Sequence, residues 1–504
     1  MTAALRAAID RAQAAEPAAD QVFSPLRALG RRQLSQLDLI GQSLSTIAPA
    51  TGMVFIALWM TVSGPGFGGV VTIAVTTAVV VLVALCITGF TRRLAAAGSL
   101  YSFVSQGLGT RAALVTGTAL LAGYLGIAIS VLAHGALTVL DLAELVGLHL
   151  PGAGAWLMAA VVLGGIVALI AVRGVRFATR AILLVETCSL VLIVATMLVA
   201  PSGSATGVEP SASSLSLLPF LALMTVLSMA GFESAAFFGP EARRPLVTVS
   251  RTVLVTPLVV GALFVFAAVA SLSGRGELIV GAYFDGLDSG ASWSIVLAVK
   301  VGMACSWFAS TLGCAQAGSR LLYSMGVERV LPAALARVHG TLRTPCVAVA
   351  AFVSANILGA CLYLLFLQDE STEFDAVVEV ALVTAYTLVA VASLRFLHRI
   401  GEDMWWTRGA SVFVALLGGG LLAFSAVDGS IHGSLAVPVA LVVLGAAGPL
   451  WRAVLRRLRP QSLATIGVFD TVETADLLPG AGTLIVDEQG RRRIVAGDAP
   501  EERM

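Results

Sequence analysis

The chain has 504 residues, 58% of them hydrophobic and only 12% charged, with a formal net charge of +1 and a mean hydropathy of +0.92. So little charge over so long a chain excludes a soluble globular protein, and a net charge near zero leaves no electrostatic footprint for nucleic acid. The expected class is an all-α membrane protein with many spans.

Residues 1–38 form a charged, alanine-rich tail (Arg6, Asp10, Arg11, Glu16, Asp20). It lacks the apolar core of a cleavable signal and reads as a cytoplasmic tail with a short amphipathic helix. Twelve apolar runs long enough to cross about 30 Å of hydrocarbon follow. The first six are Leu39–Val62, Gly69–Phe90, Ala112–Leu140, Trp156–Val172, Ala181–Ala200 and Leu215–Phe238. The second six are Val253–Leu272, Ser294–Ala317, Val347–Leu367, Val377–Phe396, Ala410–Val427 and Ser434–Trp451. The six cysteines (Cys86, Cys188, Cys305, Cys314, Cys346, Cys361) lie in or beside these runs without metal-ligand spacing, and read as small buried hydrophobes. The remainder, 456–504, is a cytoplasmic C-terminal tail in which Gly482 to Val495 reads as two strands around a polar turn.

Charge in the loops sets the orientation. With the N-terminus inside, Arg92, Arg93, Arg111, Arg173, Arg176, Arg180, Arg243, Arg244, Arg320, Arg329 and Arg343 fall in cytoplasmic loops or span ends. The other side holds Arg275 against Asp141, Glu144, Glu277, Asp285 and Asp288. This asymmetry follows the positive-inside rule, and an even number of spans puts both termini in the cytoplasm.

Two spans carry their own interruption. In the first, Ser43-Leu-Ser45-Thr46-Ile-Ala-Pro49-Ala50-Thr51-Gly52 combines a proline without an N–H, a flexible glycine and hydroxyls able to satisfy released backbone groups. In the sixth, Gly231 and Glu233 fall near the middle of the span. A carboxylate at that depth costs about 2.5–3.5 kcal/mol on insertion scales, so it faces protein or water rather than lipid. Interrupted spans at corresponding positions of two halves point to an inverted-repeat transporter with its substrate held between the breaks. The transmembrane domain, 39–455, then divides into repeats of about 39–200 and 215–397 and two extra helices within 410–451.

Gly231-Phe232-Glu233-Ser234-Ala235, with Glu241-Ala-Arg-Arg-Pro245 after it, resembles the sixth span and adjoining loop of the amino acid–polyamine–organocation superfamily. Ala97-Gly98-Ser99-Leu-Tyr101 after the second span, and Gly318-Ser319-Arg320 through Leu331-Pro332 to Thr344-Pro345, match further blocks in the family's order. The resemblance implies a LeuT-like fold of twelve helices, a 5+5 inverted repeat with broken first and sixth helices, and a bacterial type of amino acid permease. It implies that amides of Ala50, Thr51 and Gly52 hold a substrate carboxylate, as a half-helix N-terminus holds an anion. It implies too that carbonyls of Leu227, Ser228 and Ala230, freed before Gly231, take the ammonium, with Phe232 as a lid. Leu227 stands where exchangers of arginine and agmatine carry a tryptophan, which argues against a large cationic substrate.

Three titratable residues are candidates for coupling. Glu233 is the expected proton-responsive group, because a charge at its depth is costly. Glu186, on the fifth span, is the second carboxylate, beside the first-span break in the implied fold. Lys300, the chain's single lysine, either snorkels outward from the eighth span or titrates, as a buried arginine cannot. No catalytic residues, metal ligands or nucleotide-binding motif appear, so neither an enzyme nor ATP use is supported. The expectation is proton-coupled import of a small amino acid by a multi-pass protein of the cytoplasmic membrane. It has no cofactor beyond the proton gradient, sodium ranks below protons, and its partners are the amino acid or related amine and the bilayer. An amine or polyamine carrier, an exchanger of the same fold and a non-transporting sensor are the alternatives, and oligomeric state is left open.

Overall fold

A computed structural model describes residues 25–30, 33–200, 218–367, 371–402, 404–431, 434–467, 469, 483–486 and 492–495. The helix expected near the N-terminus lies outside them. Among the described residues, twelve helices are long and apolar enough to cross a membrane, and each overlaps one of the twelve apolar runs. Most extend beyond their runs: the third is Thr110–Leu145 and the eighth Trp293–Val327. Hydropathy marks only the stretch that meets hydrocarbon, whereas a helix already begun gains a hydrogen bond with each added residue and continues through its polar ends.

Span one is two half-helices, Gln36–Ile47 and Pro49–Ser63. Ser35 and Asp38 close a capping box at its start, with Asp38 N–H donating to Ser35 Oγ and Ser35 N–H to Asp38 Oδ2 at 2.8 Å. Ala48 ends the first half in the left-handed region, at φ 57°, with its N–H donating to the carbonyls of Leu44 and Ser45 at 3.1 Å. The break therefore precedes the Ala50–Gly52 stretch expected to hold it. Proline decides this: at the first position of a helix its missing N–H costs nothing and its φ is already set.

Span six is likewise split, into the α-helix Leu218–Ser228 and a 3₁₀ stretch Phe232–Glu241. Gly231 joins them at φ +102°, and a β-carbon there would lie 2.7 Å from Thr46 Cγ2 of span one. Only glycine meets both demands, the positive φ and the close approach.

Spans one, six, eight and ten form the centre, with 61% to 72% of their membrane windows buried, against 17% for spans eleven and twelve. The two extra helices are thus peripheral. On the arginine-rich side, the amides of Gln33 and Leu34 donate to the Glu241 carbonyl at 2.8 and 3.0 Å, and Arg243 N–H donates to Leu34 O at 3.0 Å. This strap ties the entry to span one to the exit from span six. Beside it, Arg320 lies within the last two turns of span eight, toward its arginine-rich end, and is fully buried. Its Nε and second guanidinium nitrogen donate to the Glu241 carboxylate at 2.7 and 3.0 Å, and its plane lies 4.1 Å from the centre of the Phe238 ring. A fork of donors on a planar cation suits such a site, where a carboxylate and two acceptors of Gln316 (2.6 and 2.8 Å) satisfy it.

After span twelve, the chain folds back onto this side. Gly467 N–H donates to Glu328 Oε1 at 2.6 Å, Tyr101 OH to Glu328 Oε2 at 2.5 Å, and Thr465 Oγ1 to the Glu328 carbonyl at 2.8 Å. Further on, Thr483–Val486 pairs antiparallel with Arg492–Val495, as the two-strand reading expects.

Candidate functional site

The two breaks meet. Ser43 Oγ, one turn before the first, accepts from Ala235 N–H at 3.1 Å, four residues past the second. The Thr46 carbonyl, released at the break, accepts from Ser310 Oγ of span eight at 3.0 Å, and Gln42 Nε2 donates to the Gly313 carbonyl at 2.9 Å. Side chains of span eight thus replace the helix bonds that the interruption removes.

At the start of the second half-helix, Ala50 and Thr51 occupy positions whose amides have no partner within it, and the dipole's positive end lies there. Gly52 does not join them. Its N–H donates to the Ala48 carbonyl at 3.0 Å, because the break falls early enough for this amide to close the first turn. Around these amides, Thr51 Oγ1, Ser45 Oγ and Gln42 Oε1 are buried with no hydrogen-bond partner among the described residues. Unpaired buried polar atoms are costly, so these three oxygens, all close in sequence to the break, are acceptors open to a polar partner.

Glu186, on span five, is buried at the same place. Its Oε1 accepts from Ser306 Oγ of span eight at 3.3 Å, its Oε2 has no hydrogen-bond partner among the described residues, and the Ala50 amide acts on its carboxyl. The fifth and eighth spans do flank the first-span break.

At the second break, the Leu227 carbonyl accepts from Ala230 N–H at 3.0 Å, so it is not one of the freed acceptors expected before Gly231. A tight turn across Met229 and Ala230 consumes it. Ser228 and Ala230 sit in that turn. Phe232 is buried, its ring 5.6 Å from that of Tyr386.

Glu233 is fully buried and held from two sides. Tyr124 OH of span three donates to Oε1 and Tyr386 OH of span ten donates to Oε2, both at 2.9 Å. Neither tyrosine figured among the sequence candidates, though each carried a signal. Tyrosine belongs at the membrane interface, and one in mid-span must find a partner for its hydroxyl. Glu379, also on span ten, is a further residue missed: it is buried, with Oε1 unpartnered among the described residues.

Lys300 does not reach the breaks. It donates to Asp141 Oδ2 of span three at 2.8 Å, near the Tyr283 ring, on the arginine-poor side. Between that pair and the breaks, Phe55, Trp307, Tyr283 and Phe284 pack into an aromatic cluster, with Trp307 Nε1 donating to Tyr283 OH at 3.3 Å.

Comparison with known proteins follows the same lines. A family model described as amino acid permease matches residues 34–444. No curated protein matches the chain in sequence. Among solved structures, a histidine-to-alanine mutant of the Eremococcus coleocola manganese transporter overlays with a TM-score of 0.53 at 12% identity, covering 91% of this chain and 98% of its own. Glu-to-Ala and Glu-to-Gln mutants of that transporter overlay at 0.52, with the same identity and coverage. At such identity the likeness shows the fold alone, which is the LeuT-like transporter fold.

Proposed function

The chain belongs to the amino acid permease family, and on that premise we propose that it imports a small amino acid across the cytoplasmic membrane together with a proton, with both termini inside. The observation that carries the reading is Glu233, sealed between two tyrosine hydroxyls two residues after the helix break. A transporter is supported over an enzyme by family and fold together.

In this reading the substrate carboxylate takes the Ala50 and Thr51 amides and the Thr51 hydroxyl, and its ammonium takes carbonyls of the Ser228–Ala230 turn. Phe232 closes over it. Glu186 shares the amide end with the substrate carboxylate. Two anions at one half-helix N-terminus repel each other, so binding favours Glu186 in its neutral form and brings a proton with the substrate. Glu233 responds to the substrate's other end through the break it adjoins. Leu227, where a large aromatic gate would stand for a bulky cation, supports a small substrate.

Manganese, the cargo named for the structural neighbours, is not carried over. Among the described residues no three His, Cys, Asp or Glu side chains come together to hold a metal. Orientation rests on the arginine asymmetry of the loops.

The test is uptake into proteoliposomes by Glu233→Gln, which mimics the neutral acid. Loss of pH dependence with folding retained is the expected result; a wild-type pH profile removes Glu233 from coupling and leaves Glu186. The substrate itself is found by a thermal-shift screen across the amino acids and biogenic amines, because a ligand that binds only the folded form raises its stability.

A further inference from the structure

Spans two, ten and eleven enclose two cavities, one above the other. The inner one has apolar walls from Val80, Val83, Val414 and Leu417, and its floor is Phe232 and Tyr386. The other lies between the ends of the same three helices on the arginine-rich side. Arg92, Arg93, Ser393, Trp406 and Ser411 line it. Arg93 is engaged, donating to Glu402 and to the Gly89 carbonyl. Arg92 is exposed and has no ion-pair or hydrogen-bond partner among the described residues. Arg92 and Val80 are twelve residues apart on one helix, about 18 Å at 1.5 Å per residue, close to the depth of one leaflet's hydrocarbon.

We propose that these two clefts on the same three helices together seat one anionic phospholipid of the arginine-rich leaflet, its phosphate on Arg92 and an acyl chain along Val83 and Leu417 toward Phe232 and Tyr386. Three observations choose this occupant. An exposed guanidinium, unpaired among the described residues, sits where a headgroup lies. An indole, Trp406, stands beside it at the level where such rings anchor. The cleft at Arg92 is mixed in character, and the one deeper along span two is almost wholly apolar. A free anion would need only the polar end, and a neutral lipid only the apolar end. The floor gives the site a purpose: the chain end meets the two aromatic rings packed beside Glu233, so a seated lipid braces the Tyr386 hydroxyl against that carboxyl.

The test uses the full chain purified in detergent and stripped of lipid, then titrated with dioleoyl phosphatidylglycerol or dioleoyl phosphatidylcholine and read by native mass spectrometry. It needs no substrate, so its outcome is independent of the transport reading. One basic residue near a membrane surface contributes about a fivefold preference for an anionic lipid, so phosphatidylglycerol is expected to bind about fivefold more tightly than phosphatidylcholine. Arg92→Gln is expected to erase that preference and keep the weaker binding. Leu417→Trp, which fills the apolar cavity, is expected to weaken both lipids. Arg180→Gln, on span five, is expected to leave both unchanged. Equal affinity of the two lipids for the wild type, or an undiminished preference in Arg92→Gln, overturns the proposal even if Leu417→Trp fails to fold. Displacement of phosphatidylglycerol by inorganic phosphate also overturns it, as the mark of a free-anion site.

Discussion

The two tyrosines on Glu233 allow its charge state to be read as an energy. Hydrogen bonds to the carboxyl from Tyr124 and Tyr386 are equal in length, 2.9 Å, so geometry does not distinguish a carboxylate from a neutral acid. Energy does. Interhelical hydrogen bonds between neutral partners in membranes average about 0.6 kcal/mol, whereas a bond to a charged group contributes about 1.5–3 kcal/mol. A double-mutant cycle with Tyr386→Phe, Glu233→Leu and the pair isolates the Tyr386 term, because leucine, unlike glutamine, accepts no hydrogen bond, provided each single variant keeps the fold. Unfolding in mixed micelles, followed by tryptophan fluorescence, supplies the four stabilities. If Glu233 titrates, the coupling is expected near about 2 kcal/mol at alkaline pH and to fall toward about 0.6 kcal/mol as the medium is acidified. A coupling that stays below about 0.6 kcal/mol at every pH would show a permanently neutral acid with a structural task, and would refute the proton-coupling role.

Three further outcomes follow from the geometry. Thr51→Val removes an unpaired hydroxyl without altering shape, so uptake is expected to fall while the melting temperature holds; Gly52→Leu tests the site less cleanly, because its side chain runs into Phe264 of span seven. Glu241→Gln strips Arg320 of a buried carboxylate and is expected to cost about 3–5 kcal/mol, whereas Glu241→Leu with Arg320→Met is expected to recover most of that, measured by the same unfolding assay. Cysteines placed at Gly286 and Thr341 are expected to react with an impermeant thiol reagent from outside and only from inside, respectively, and the reverse pattern would invert the proposed orientation.

Much of the architecture is legible because membranes demand little subtlety from a sequence. A run of apolar residues marks each span, and Pro49 and Gly231 mark the breaks by what their backbones lack. Glu233 declares itself by charge in the wrong solvent. The misses have a common cause. Whether an amide or carbonyl is free depends on where a turn closes, so Gly52 and Leu227 looked available until the break settled at Ala48 and a turn formed over Met229 and Ala230. Partners distant in sequence are equally hidden. Tyr124 and Tyr386 reach Glu233 from spans far apart in the chain, and Arg320, counted only toward the charge asymmetry of the loops and span ends, finds Glu241 only once spans six and eight pack. Lys300 shows the converse: its depth raised two readings, and Asp141 on a neighbouring helix chose between places for it.

The strap of Gln33, Leu34, Glu241 and Arg243 has a mechanical consequence. Three backbone hydrogen bonds and the buried Glu241–Arg320 pair join the arginine-rich ends of spans one and six to each other and to span eight. For the site to open toward the arginine-rich side, these pieces have two routes: they travel as one lever, hinged at Ala48 and Gly231, or they part and leave a guanidinium unmatched in a dry interior. The second is steep enough that the first becomes the low road. The moving part is then a composite of three helix ends that are far apart in the chain, and its pivots are the two residues at which spans one and six break.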